Sequence, residues 1–428
     1  MENLEVLGLA KDMTTKKNFH RDAVAKMVVS SLASGLTSYL FVFIGSRVLD
    51  TDGMASVLSL WAIVNTLVLA FSIPLETIAP KLMLSEDASN NEIRLILHGL
   101  AVAIGTIVFL LALSLTQVHS YMGRNILVAI PFVISLGVWA GVRAVFVGRL
   151  YFREFLIISI ANAFFAVGGL VSLYVFEIRN SRLLLLTVTL GNIASIVFGI
   201  LILNRREQKF RWMRFPSFRF EGSTYRLSLA LILATGISLL MNNGGIAIAP
   251  LVGADSQFVV SFAAMVSLVQ VPMMLLNNVS PIVNIRMTFL ANEGKFREVT
   301  KLYYRVLLFF FITTLFIVSA SYFLGEFGIK VFVGDSFELS GTIAALTALG
   351  VCLDWLTVMP RLLGVAFGRI KQITIVWVLG ALFYCISFTL PLSSSNKLVW
   401  APIIGGLVVL VVGTSKMQGI SDKQLKIT

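Results

Sequence analysis

The sequence predicts an all-α polytopic membrane protein of about twelve transmembrane helices, set in two six-helix bundles related by an internal repeat. Three observations carry this. Hydrophobic residues make up 57% of the chain and charged ones 13%, about half the charge of an ordinary soluble domain. Apolar runs near the roughly 20 residues that a helix needs to cross the hydrocarbon recur along the whole chain. A basic, aromatic stretch from Asn204 to Arg226 divides that chain into halves of similar length and pattern.

The elements follow in order. Residues 1–23 hold Glu2, Glu5, Asp12 and Asp22 and no apolar core, which excludes a cleavable signal peptide; a disordered cytoplasmic segment is expected. Residues 24–203 form the first bundle, with spans over Val24–Arg47, Met54–Pro74, Ile93–Leu115, Asn125–Val147, Phe155–Phe176 and Leu183–Leu203. Residues 204–226 form the linker, where seven Lys or Arg interleave with Phe210, Trp212, Phe215, Phe218 and Phe220. Such a loop fits the headgroup layer better than nucleic acid, so anionic membrane lipids are expected partners and no nucleic acid is. Residues 227–414 form the second bundle, with spans over Leu227–Ile248, Phe258–Pro281, Tyr303–Leu324, Gly341–Met359, Ile373–Pro391 and Leu398–Gly413; residues 415–428 form a tail. The loops are short, and no soluble domain fits between two spans.

Orientation follows from the cations. With the N-terminus inside, 28 of the 34 Lys and Arg fall in inner loops and 6 in outer ones. That bias predicts a plasma-membrane protein with both termini in the cytoplasm. Cys352 and Cys385 lie inside apolar runs and the three histidines are scattered, so neither a disulfide nor a metal site is expected.

Sliding the chain on itself by about 205 residues aligns Asp50 with Asp255, Asn65 with Gln270, Ser72 with Asn277 and Lys81 with Arg286. In the eighth span Gln270, Asn277 and Asn284 recur every seven residues, which places them on one helical face. The second span answers with Asn65, Ser72 and Glu76, the first with Ser30, Ser34 and Ser38, and the seventh with Thr235, Ser238, Asn242 and Asn243. Amides find no partner in lipid, so these faces are expected to line a polar cavity between the halves; helix packing is the alternative, above all for the serines. Asp354, deep in the tenth span, is the coupling candidate, against a structural ion pair as the alternative. Arg143, Arg361 and Arg47 sit near span ends, where snorkelling to the interface would also explain them. Pro272 and Pro281 are placed to kink the eighth span.

Residues 23–416 resemble the polysaccharide-transporter branch of the multidrug/oligosaccharidyl-lipid/polysaccharide flippase superfamily. The first loop, SRVLDTDGMASVLSLW from Ser46, is similar to the family's Arg-x-Leu-Gly entry to the second span, with Asp50 where the family has Gly. The passage PLVGADSQFVVSFAAMVSLVQVPMMLLNNVSPIVNIRM from Pro250, FLANEGKFREVTKLYYR from Phe289 and GVAFGRIK from Gly364 extend the likeness. It implies two bundles in a V around a central lumen, rocking between inward-open and outward-open states. It also implies a cargo, an oligosaccharide on a polyprenyl pyrophosphate flipped to the outer leaflet for cell-surface polysaccharide synthesis. Polysaccharide-assembly proteins would then be partners. Lys81, Arg143, Arg286 and Arg361, near the cytoplasmic mouth, would contact the pyrophosphate.

The main rival is an H⁺- or Na⁺-coupled multidrug antiporter of the same superfamily. No Asp or Glu lies between Asp22 and Asp50, where such antiporters often carry one in the first span, which lowers this reading. A membrane-embedded polysaccharide polymerase needs a large outer loop, and the longest outer stretch runs only from about Gly325 to Ser340, so an enzyme is not expected. No cofactor is expected beyond a coupling ion, H⁺ or Na⁺, and the chain is expected to act as a monomer.

Overall fold

The computed structural model describes residues 17–83, 88–114, 126–206, 222–277 and 280–425. The first sixteen residues and most of the basic linker lie outside them. Thirteen α-helices and one short 3-10 turn account for nearly all described residues. In the first half these are α1 (Lys17–Val48), α2 (Thr51–Met83), α3 (Ala88–Ser114), α4 (Ile126–Gly148), α5 (Phe152–Val175) and α6 (Ser181–Arg206). In the second they are α7 (Gly222–Ile248), α8 (Ser256–Asn277), α9 (Ser280–Asn292), α10 (Phe296–Val333), α11 (Gly341–Ala366), α12 (Ile370–Ser387) and α13 (Ser394–Leu425). Ten described helices are long and apolar enough to cross a membrane, and shorter apolar helices over Ser256–Gln270 and Lys371–Ser387 stand where the eighth and eleventh spans were expected. The chain is a multi-pass membrane protein.

Two spans need comment against the sequence reading. Over the eighth span the described residues form two helical segments, α8 to Asn277 and α9 from Ser280, and residues 278–279 lie outside them. The ninth span is far longer than its apolar run, because Arg297 and Lys301 before that run and Glu326 and Lys330 after it are good helix formers.

The repeat is visible in which helices touch. Within the first bundle α1 packs on α5, α2 on α4, α3 on α4, α4 on α6 and α5 on α6. Six spans later the same pattern returns: α7 on α12, α8 on α11, α10 on α11, α11 on α13 and α12 on α13. Between the bundles, α2 packs on α7 and α1 on α8, the pair of contacts that a two-fold axis would exchange. Even the caps repeat. Asp50 precedes α2 and accepts from the Gly53 amide at 3.2 Å, while Asp255 precedes α8 and accepts from the Gln257 amide at 3.1 Å. Asp50, the departure from the family's Gly, is thus a helix N-cap.

Small residues set the close approaches. Gly99 on α3 faces Gly137 and Gly141 on α4, and a β-carbon at any of them would run into the backbone of the other helix. In lipid, where no hydrophobic force drives helices together, such close backbones supply the packing.

Candidate functional site

Two polar rungs join α7 to α11 inside the second bundle. The Arg361 guanidinium donates to Thr235 Oγ1 at 3.0 Å, and the Ser238 hydroxyl donates to Asp354 Oδ1. Asp354 is 8% exposed and Thr235 and Ser238 are buried. Thr235, Ser238 and Asn242 stand at i, i+3 and i+7, hence on one face of α7. Asn242 continues the ladder by one turn, and its buried Oδ1 has no protein partner among the described residues. A buried orphan oxygen of this kind calls for a ligand or water. The chemistry assembled here is a carboxylate, a hydroxyl and an amide oxygen, all oxygen donors suited to a proton or a hard cation. Among the described residues Asp354 makes no close salt bridge, and Arg361, seven residues on, bonds Thr235.

The remaining expected residues divide by environment. Asn243 is buried and accepts from Gln270 Nε2 at 3.3 Å, tying α7 to α8. Asn284, on α9, also has a buried Oδ1 without a partner among the described residues. Arg286 is exposed. The side chains of Lys81 and Asn277 lie outside the described residues. On α2, Asn65 and Ser72 are buried and bond their own helix, to the carbonyls of Trp61 at 2.9 Å and Val68 at 2.6 Å. The serines of α1 do the same, Ser30 to Lys26 and Ser34 to Ser30, which favours packing over solvent lining for that face.

Glu76 accounts for Arg143. Arg143 Nε lies 3.0 Å from Glu76 Oε1, and its guanidinium stands over the rings of Trp139 at 4.6 Å and Phe155 at 5.2 Å. Its charge is met within its own bundle, so neither snorkelling nor a free anion contact describes it here.

One network was missed by the sequence reading. Asn162 on α5 donates to Asn192 Oδ1 on α6 at 2.9 Å, and Asn192 donates to Ser135 on α4 at 3.3 Å, all three buried. Its signal was available: two lone amides inside the fifth and sixth apolar runs.

No family model and no curated protein matches the chain. Solved structures do. The fold is similar to an inward-facing multidrug resistance MATE family transporter of the MOP superfamily, with TM-score 0.68, 12% identity and coverage of 94% of this chain and 96% of that one. An outward-facing transporter of the same description matches with TM-score 0.68, 11% identity and the same coverage. The eukaryotic MATE transporter AtDTX14 matches with TM-score 0.69 and 12% identity over 95% of this chain and 99% of that one. At such identities the likeness carries the fold, two bundles of the MATE type, and not the cargo.

Proposed function

We propose that the chain is a membrane transporter working by alternating access, which exchanges H⁺ or Na⁺ for an amphipathic organic cation. One observation carries the coupling: Asp354, buried at membrane depth, takes its hydrogen bond from neutral Ser238 while Arg361 is held by Thr235. A carboxylate so placed can bind and release a cation as its access changes, whereas a closed salt bridge could not. The fold supports the cycle, since its solved neighbours include inward-facing and outward-facing states. Those neighbours are described as multidrug transporters, which favours this cargo over the lipid-linked oligosaccharide ranked first from the sequence. The test is uptake of a fluorescent organic cation into proteoliposomes under an imposed pH or Na⁺ gradient. Wild-type flux should follow one gradient, and flux in Asp354→Asn should follow neither. A wild-type flux indifferent to both gradients sinks the reading.

The oligosaccharide flippase keeps one supporting observation: Arg286 is exposed and forms no ion pair among the described residues. It is weakened by Arg143 and Arg361, both engaged within their own bundles. Exposure of a labelled polyprenyl-pyrophosphate oligosaccharide headgroup at the outer face of proteoliposomes, without a cation gradient, would reverse the ranking.

A further inference from the structure

We infer that the surface between α10 and α13 holds an anionic membrane phospholipid, with a hydrocarbon chain in an apolar groove and its phosphate at a cationic rim. A cavity of about 430 Å³ opens between α10, α11 and α13. Tyr304, Leu308 and Phe311 form one wall, Leu410 and Val411 the other, and Leu356 lies at its back. Tyr303, behind it, is fixed by a 3.0 Å hydrogen bond to Thr414.

The neighbouring charges select the occupant. Arg297, Lys301, Tyr304, Leu308 and Phe311 follow one another at spacings of four and three, so they share one face of α10. Along about 20 Å that face passes from cations through a tyrosine to apolar side chains. This is the order of phosphate, interface and hydrocarbon met by a helix entering a leaflet. Arg305 adds a third cation, and Lys416 stands exposed at the same end of α13. Arg297, Lys301, Arg305 and Lys416 are all exposed and form no ion pair among the described residues. Glu298 is the one acid of the α10 segment from Phe296 to Val333 on that turn. A clustered positive rim beside an apolar groove matches an anionic headgroup with its chain. It does not match a second copy of this chain. The outward surface of α10 is made of large side chains, with Phe316 74% and Phe323 78% exposed, where helix pairing in membranes favours small ones. The inference is independent of the proposed cargo; the charge-based topology puts this cationic end in the cytoplasmic leaflet.

The full chain, purified in detergent, is examined by native mass spectrometry and thermal unfolding with phosphatidylglycerol and phosphatidylcholine of identical chains. Wild type should retain phosphatidylglycerol roughly tenfold better and be stabilised more by it. In Lys301→Gln/Arg305→Gln, both exposed positions, that preference should vanish while the phosphatidylcholine signal persists. Leu308→Trp, which fills the groove, should lose both lipids. Glycerol phosphate alone should give no stabilisation, which separates a lipid site from a phosphate site. Equal retention of the two lipids by wild type, an unchanged preference in the double variant, lipid retained by Leu308→Trp, or a groove-dependent complex of two chains would each overturn the inference.

Discussion

The Arg47 guanidinium donates to the backbone oxygen of Phe332 at 2.7 Å and to that of Val331 at 2.9 Å, tying the last turn of α1 to the last turn of α10 across the two bundles. The same group stands 3.7 Å over the Phe43 ring, and Tyr39 and Phe43 pack on Phe332. Terminal helix carbonyls have no intrahelical donor and carry partial negative charge, so a guanidinium is their fitting partner. Ser59, which donates to the Ile246 carbonyl at 3.1 Å, adds a second polar tie between the bundles near that end. The arginine read from sequence as a snorkelling group is therefore a clasp.

Removing the clasp should favour the conformer open on that side. Hydrogen bonds to a charged group contribute about 1.5–3 kcal/mol, so Arg47→Ala should move the balance at least roughly tenfold. Spin labels at Asp52 and Asp335, both exposed, would read this as a longer distance population in a background lacking Cys352 and Cys385. Arg47→Lys should fall between the two, since it keeps the charge and loses the forked geometry. Identical distance distributions in wild type and Arg47→Ala would remove the clasp from the cycle.

Asp354→Asn should keep the fold, because the amide still accepts from Ser238 and no ion pair is broken. Counterflow of substrate, which needs no net coupling, should persist, while gradient-driven uptake and its pH dependence should be lost. If the variant fails to accumulate in the membrane, Asp354 is structural and the coupling role goes elsewhere.

Glu76 and Arg143 should act as a unit. The Arg143 side chain is 21% exposed and that of Glu76 22%, so both are largely shielded from solvent. Arg143→Met should then cost about 2 kcal/mol of stability, by leaving Glu76 without its cation. The double variant Glu76→Gln/Arg143→Met should recover most of it, which a thermal-unfolding double-mutant cycle would read. Additive losses would show that the two are independent.

The legible part of this fold was the part that depends on pattern along the chain. Apolar length marked the spans, and the 205-residue offset that paired Asp50 with Asp255 returned as two equivalent N-caps. What stayed hidden depends on which helix faces which. The spacing of Thr235, Ser238 and Asn242 showed a polar face, yet only the packing of α7 on α11 matched it to Asp354 and Arg361. Glu76 and Arg143 were both noticed, but 67 residues separate them, and nothing in either run announces that α2 and α4 meet there.

The charge bias makes a topology prediction. A cysteine at Ser217, in the basic linker, should be protected from a membrane-impermeant thiol reagent in intact cells and labelled after permeabilisation. Asp335→Cys, on the loop after α10, should react in intact cells. Reversal of the two patterns would turn the protein over and move the phospholipid site to the outer leaflet.

The last prediction concerns the polar seam. Gln270 is half-buried and bonded to Asn243, whereas Leu268, on the opposite face of α8, packs toward Gly328 of α10. If α8 moves against α7 during the cycle, Gln270→Cys should become reactive to a hydrophilic thiol reagent when transport runs, and saturating substrate should slow the reaction. Leu268→Cys should react far less in either condition, since its face stays within the bundle. Asn284 gives the companion test, because its buried Oδ1 lacks a partner among the described residues. Asn284→Leu discards an unsatisfied oxygen, so stability should hold or rise by on the order of ~1 kcal/mol. Transport should fall nonetheless if that oxygen serves a cargo or ion passing between the bundles. A loss of stability with no labelling at Gln270 would mean that these amides fasten helices together and line no pathway.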